Sequence, residues 1–344
     1  FVVYHACYSV TGMTIRSASG ASGGGLTESG PDRSGHHFKT MQLSVLIPTY
    51  DRRETLGKAL RALFLQQGLE QVAWEVIVID DGSTDGTGAL VAKLVTESPA
   101  PLIYLYQENS GPAAARNQGI RTARAPLVLM IGDDILAAPN LLAKHLAAHK
   151  RYPLLQDAVL GLVEWAPSLN VTPFMHWWVE NRFRFGALQA GKVEPDFSFF
   201  YTCNISVKRE FLLNHGLFDE SFRAAAYEDT ELAYRLDQAG LRIHFIPQAT
   251  AYHDHPVTLQ SASKRMENIG RWSLAFEAKT HFWSAPPAWI RLGSVPWMHP
   301  RIIRPLEAWA KRLQTKAVMG PLYAIVMMYH FWIGRRQASL GDLV

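Results

Sequence analysis

From residue 43 onward, apolar and polar positions come in blocks whose lengths and periods read alternately as strands and helices. Residues 43–47 are a short run, apolar except for Ser44, and Leu56, Leu60, Leu63 and Phe64 then follow at helical intervals, the signature of one buried helix face. The run 76–79 predicts a second buried strand. Asp80 to Gly86 supply turn and cap residues before a helix around 89–95. Residues 103–106 predict a third strand, 112–122 a helix, and 127–131 a fourth strand that runs straight into Asp133 and Asp134. Strands alternating with helices at this spacing imply an α/β fold with a doubly wound, mostly parallel sheet flanked by helices. Ligands of such a sheet bind beyond the carboxyl ends of its strands.

Residues 160–200 are less periodic and rich in aromatics, among them Phe174, Trp177, Trp178, Phe183 and Phe185, which suits a substrate-facing region. Helical character resumes over 229–238 with Leu232, Ala233 and Leu236 inward, Gly240 ends it, and 243–246 predict another strand. Past Pro256 tryptophans, prolines and basic residues accumulate, followed by the apolar stretch 317–332 between Lys316 and Arg335–Arg336. This predicts a C-terminal helical appendage. Residues 1–40, with the run SASGASGGG, carry no sustained period and read as a flexible leader.

With 344 residues, 48% of them hydrophobic, the chain can bury a substantial core. A net charge of +4 and a pI near 9.0, without a dense basic run interleaved with aromatics, give no support to nucleic-acid binding. Cys7 and Cys203 have neither disulfide-framework nor zinc-ligand spacing, which fits a reducing cytoplasm. The N-terminal residues match a secretory signal poorly, so export is not expected.

Two acidic pairs carry the candidate chemistry. Asp133–Asp134 end an apolar strand, and adjacent carboxylates repel unless a cation or solvent compensates them, so this pair is expected to face a cleft. Glu228–Asp229 begin a helix, where free N–H groups and the helix dipole favour an anion; a helix-capping acid and a general base are both compatible with that position. The first strand ends in PTYDR (48–52), without the glycine-rich turn that a dinucleotide's pyrophosphate needs. At the end of the second strand, Asp81 is able to accept hydrogen bonds from a ribose or a base, although Asp-Gly-Ser is equally an ordinary turn.

The order of these pieces resembles a known family. PTYDR at 48–52, IDDGSTD at 79–85, ENSGPAAARNQGI at 108–120, GDDI at 132–135, NISVKREF at 204–211, GLFDESF at 216–222 and YEDTELAYRL at 227–236 look like the family 2 glycosyltransferases of GT-A fold, over residues 43 to about 255. The resemblance implies a catalytic domain at 41–258, with a donor half at about 41–135 and an acceptor half at about 136–258, followed by a helical region at 259–344. It implies inverting transfer of a sugar from a nucleotide-sugar donor, by default a UDP-sugar, to an acceptor hydroxyl, in glycan or glycolipid synthesis. Thr49, Tyr50 and Arg52 match the first nucleotide-contacting loop, Asp81 the carboxylate that holds the base, and Gly111 and Arg116 a donor-binding turn and helix. Three acids are typical of the family's metal motif. Here Gly132 replaces the first, leaving Asp134 as ligand to Mn²⁺ or Mg²⁺ and Asp133 toward the ribose or a metal-bound water. Asp229 matches the base, with Glu228 positioning it or the acceptor, and His253 matches a metal-coordinating histidine of some members, with His255 next to it.

Two other readings compete. A sugar-phosphate nucleotidyltransferase would show a glycine-rich basic loop near the first strand, and PTYDR is not one. A non-catalytic nucleotide-sugar or glycan binding protein would not need a base. Trp177 and Trp178 cannot both face inward from a helix, so one belongs to a groove or interface. The stretch 317–332 is shorter than the roughly 20 residues that span a bilayer. It reads as a helix packed on the catalytic domain or as an interfacial one, for a protein at the inner membrane face with a lipid-linked acceptor.

Overall fold

The computed structural model describes residues 40–282, 300–313 and 319–339. The leader expected at 1–40 lies outside them apart from its last residue, as do positions 317–318 of the apolar stretch. An eight-stranded sheet organises the fold, in the order β3-β2-β1-β4-β7-β6-β8-β5. Strands β1 (Met41–Thr49), β2 (Ala73–Asp80), β3 (Leu102–Tyr106) and β4 (Leu127–Ile131) run parallel. Between them lie helices α1 (Arg53–Phe64), α2 (Thr87–Leu94) and α3 (Pro112–Thr122). Val45, Leu46, Ile77, Val78 and Leu129 are fully buried because helices cover both faces of this sheet. Each contributes roughly 1.5–3 kcal/mol by leaving water.

The other half is built differently. After β5 (Ile135–Ala137) and α4 (Leu141–Arg151), β6 (Asp157–Trp165) runs parallel to β8 (Arg242–His253), while β7 (Asn204–Lys208) lies antiparallel between β4 and β6. Aromatic helices α5 (Pro173–Arg182) and α6 (Phe185–Gln189) connect β6 to β7, and α7 (Arg209–Asn214) and α8 (Glu228–Gln238) connect β7 to β8. The strand expected at 243–246 is thus the first part of a longer one. Its ladder shifts in the middle. Gly161 pairs with Ile246 but Leu162 with Thr250, so residues 247–249 have no partner on β6.

Asn204 fills that shift. Its Nδ2 donates to the carbonyls of Leu162 at 3.1 Å and Ala249 at 2.9 Å. A Cβ on Gly161 would lie 2.2 Å from this Nδ2, so only glycine leaves room for it. The two carbonyl acceptors fix the amide's orientation, so Asn204 Oδ1 accepts from His145 Nε2 at 2.9 Å. His145 Nδ1 then accepts from the Ser206 hydroxyl at 2.7 Å, and Ser206 Oγ accepts from His149 Nε2 at 2.8 Å. Every proton in this chain is assigned with both imidazoles neutral. Burial holds them so, pushing His145 down to about 4 and His149 to about 3.

The C-terminal helices α9 (Leu259–Thr280), α10 (Pro300–Leu313) and α11 (Gly320–Ser339) pack on the α5 side of the domain. The apolar stretch enters α11 with Leu322, Tyr323, Val326, Met327 and Phe331 buried, in a cluster shared with α9 and α5. Helices α9 and α11 cross in backbone contact: a Cβ at Gly270 would meet the Phe331 carbonyl at 1.9 Å, and one at Gly334 the Glu267 carbonyl at 1.8 Å. Among the described residues no helix is long and apolar enough to cross a membrane.

Candidate active site

A cavity of about 340 Å³ opens where β4, β6 and β8 end and α8 begins. Asp134, Glu228, Asp229, Arg52, Arg116 and His253 all line it. Asp134 of the first acidic pair and both members of the second, separated by almost a hundred positions, therefore face one space.

Strand β4 delivers the first pair. Thr49, at the end of β1, donates its hydroxyl to Asp133 Oδ2 at 2.8 Å, and the Arg52 guanidinium spans the pair, 2.9 Å from Asp133 Oδ1 and 3.0 Å from Asp134 Oδ2. Burial pushes Asp133 up to about 6, against the pull of Arg52. Burial also works on Asp134, but the hydrogen bond and charge of His253, joined by Arg52, outweigh it and hold this carboxyl well below the usual range. Those two neighbours make Asp134 the carboxylate that stays ionised.

Strand β8 delivers His253, whose Nε2 lies 3.2 Å from Asp134 Oδ2. Backbone geometry enforces this meeting. Ile135 pairs with His253 across β5 and β8, and the Asp254 N–H donates to the Asp134 carbonyl at 2.8 Å. Among the described residues no group of three or more His, Cys, Asp or Glu side chains converges on one metal position. Asp134 Oδ2 and His253 Nε2 nevertheless make a two-donor set of the kind a divalent cation uses when substrate phosphates and water complete its shell.

The second pair opens α8 behind Tyr227, a non-glycine residue at φ 68°. Glu228 is 3% exposed and receives a hydrogen bond from Arg116 at 3.0 Å. Burial, reinforced by the charge of Asp229 and opposed by Arg116, raises Glu228 well above the carboxylate range. Asp229 is half-buried, and its Oδ1 accepts from the Thr230 N–H at 2.8 Å. Glu228 thus pairs with α3, and Asp229 is the member of the pair turned to the cavity without a cationic partner among the described residues.

Of the other residues matched from the sequence, His255 lines the cavity with His253, whereas Thr49, Tyr50, Asp81, Gly111 and Asp133 lie outside the lining. Asp81 accepts from Gln107 Nε2 at 2.7 Å, from the Ser110 N–H at 2.8 Å and from the Gly111 N–H at 2.9 Å, so it pins the loop that precedes α3. Tyr50, directly after β1, is 50% exposed. Arg116 is the point of connection, entering the cavity from the helix that this loop begins.

Several lining residues carry no motif that marks them. Trp165 and Trp178 line the cavity, whereas Trp177 lies outside the lining and packs on Tyr323; Phe174 touches both adjacent tryptophans. Arg182 lies over the rings of Trp178 and Phe183 at 5.9 and 5.5 Å. Cys203, half-buried, has its thiol pushed up to about 12, first by burial and then by the charges of Asp134 and Asp229. That thiol lies within the fields of both carboxylates. The first turns of α9 close the wall with Ser261 and Arg265.

Comparison with known proteins bears on family and fold. The Glycosyl transferase family 2 model matches residues 44–216. The uncharacterized glycosyltransferase YfnE of Bacillus subtilis (strain 168) is 30% identical over 276 residues, 67% of this chain and 69% of that protein. Validoxylamine A glucosyltransferase of Streptomyces hygroscopicus subsp. jinggangensis (strain 5008) is 34% identical over 224 residues, 58% of this chain, which spans 52% of that protein. In fold, the mannosyltransferase PcManGT from Pyrobaculum calidifontis, solved in complex with GDP-Man and Mn²⁺, superposes with a TM-score of 0.58 at 20% identity over 88% of each chain. The fold is of the GT-A type.

Proposed function

This chain belongs to glycosyl transferase family 2, and we propose from that premise that it moves a sugar, with inversion, from a nucleoside diphosphate sugar to an acceptor hydroxyl. The observation that carries the reading is the single cavity shared by Asp134 and Asp229. Direct displacement at an anomeric carbon needs a base on one face and a stabilised leaving diphosphate on the other.

On the leaving side, Asp134 and His253 would hold a divalent cation. Bound there, Mn²⁺ or Mg²⁺ would neutralise charge developing on the departing diphosphate. Arg52 links Asp133 and Asp134 in one array and supplies a fixed positive charge at the same end. The PcManGT complex, with its GDP-Man and Mn²⁺, supports a nucleotide sugar and a divalent cation as the class of ligand. On the attacking side, Asp229 Oδ2 takes the proton of the acceptor hydroxyl as its oxygen bonds to the anomeric carbon. Glu228, tied to Arg116, sets the direction of the first turn of α8 and hence of Asp229. Trp165 and Trp178 offer aromatic faces to a sugar ring.

A panel of nucleotide sugars tests this, scored by nucleoside diphosphate release with Mg²⁺, with Mn²⁺ and with chelator. The expected result is release from one donor that disappears with chelator and in Asp134→Asn. Release that ignores both would remove the cation role. The anomeric proton coupling of the product, read by NMR, decides inversion against retention.

A further inference from the structure

Two of the arginines at the cavity are held by carboxylates of the protein. Arg52 is spent on Asp133 and Asp134, and Arg116 on Glu228. Arg182 is different. It lines the cavity at the end of α5 and, among the described residues, makes no ion pair; its neighbours are the rings of Trp178 and Phe183. It shares the cavity wall with Cys203, Asp134 and Asp229.

Stacking on aromatic rings uses the face of a guanidinium and leaves its in-plane N–H donors free. Trp178 is 6% exposed, so this aromatic support is fixed in place. When a substrate displaces water here, a neutral ligand leaves the charge uncompensated, whereas a carboxylate or phosphate meets it with paired hydrogen bonds. Its origin in α5, between β6 and β7, sets Arg182 apart from the loops after β1 and β4 that carry Arg52 and Asp134.

We propose that Arg182, seated on Trp178 and Phe183, makes the acceptor subsite selective for an acceptor that carries a carboxylate or phosphate close to the hydroxyl that attacks. The proposal rests on the glycosyl-transfer reading and names its acceptor class. No covalent step is added: the anionic group stays intact while the neighbouring hydroxyl loses its proton to Asp229.

Matched probes test it on the full chain with Mg²⁺ and whichever of UDP or GDP binds: methyl glucuronide against methyl glucoside, and glucose 6-phosphate against glucose, titrated by ligand-observed NMR. In at least one pair the anionic member should bind roughly ten- to hundredfold more tightly, the ratio a hydrogen bond to a charged group supplies. That preference should vanish in Arg182→Gln and survive in part in Arg182→Lys, which keeps the charge and guards against a glutamine variant that does not fold. Equal behaviour within both pairs, whether all four probes bind or none does, overturns the proposal. So does a preference that persists in Arg182→Gln. If Arg182→Gln instead weakens the nucleoside diphosphate alone by the same factor, the arginine serves the donor and the acceptor assignment is wrong. Donor cleavage and nucleotide binding by the unaltered protein report on glycosyl transfer separately.

Discussion

The two halves of the sheet hold their active residues by different means. Strands β1 to β4 are parallel, covered on both faces and in unbroken register from Leu43 onward, so apolar burial, helped by one polar cluster of Ser44, Glu75 and Arg124 at the entry to β4, brings β4 to its end before Asp133–Asp134. Strands β6 to β8 meet a register shift, and a polar chain from His149 through Ser206 and His145 to Asn204 locks it. Downstream of that lock lies His253. Hydrophobic burial tolerates small changes of shape, whereas a buried polar chain is all-or-none, because each lost partner strands another group. The half that sets the position of His253 is therefore the more brittle one.

The largest expected effect sharpens the comparison at the site itself. Asp229→Asn should lower transfer by roughly 10²–10⁴-fold, the contribution of a positioned base, while nucleotide-sugar binding measured calorimetrically stays unchanged. Equal turnover in a folded variant would remove Asp229 as base. Next comes Asn204→Leu, which strands the Leu162 and Ala249 carbonyls and His145 Nε2. With about 1–3 kcal/mol for each orphaned group, it should cost more than about 3 kcal/mol in a urea unfolding curve. Its weakened Mn²⁺ binding, followed by electron paramagnetic resonance, should exceed any change in the melting of β1 to β4 seen by hydrogen exchange.

Acid should single out the same half. An imidazole that is neutral when folded and titrates normally when unfolded gives stability that is complete above about pH 6.5 and is lost as pH falls toward about 4 for His145 and about 3 for His149. The slope is up to about 1.4 kcal/mol per pH unit for each group. Thermal unfolding between pH 7 and 4 checks it, and His149→Gln should flatten the curve; an unchanged slope breaks the argument. The smallest effect belongs to the other half. Ile77→Val, at a fully buried position of β2, should cost only about 0.5–1.5 kcal/mol and leave Mn²⁺ binding as it was.

The same contrast explains what could be read from the chain. Strands β1 to β4 and their helices are legible because a strand buried on both faces is a continuous apolar run, and Asp134 and Asp229 are legible because they end or begin such elements. Strands β6 and β7 are not, since Asn204 and Ser206 break the apolar pattern with groups whose partners lie about 40 to 60 positions away. One signal was available: Gly161, alone within an apolar run, marks a bulge or a close approach. The pairing of Arg116 with Glu228 joins positions 112 apart and follows from no local pattern. Arg182 has no motif at all, because its role comes from the rings beneath it.

The reciprocal glycine crossing of α9 and α11 has a practical reading for anyone exchanging acceptor specificity between relatives. Helix α9 supplies Ser261 and Arg265 to the cavity wall, and its spacing from α11 leaves no room for a single added carbon at Gly270 or Gly334. A chimera spliced between the two helices would pair surfaces that were never shaped for each other. A splice near Pro256, ahead of both helices, keeps their crossing intact.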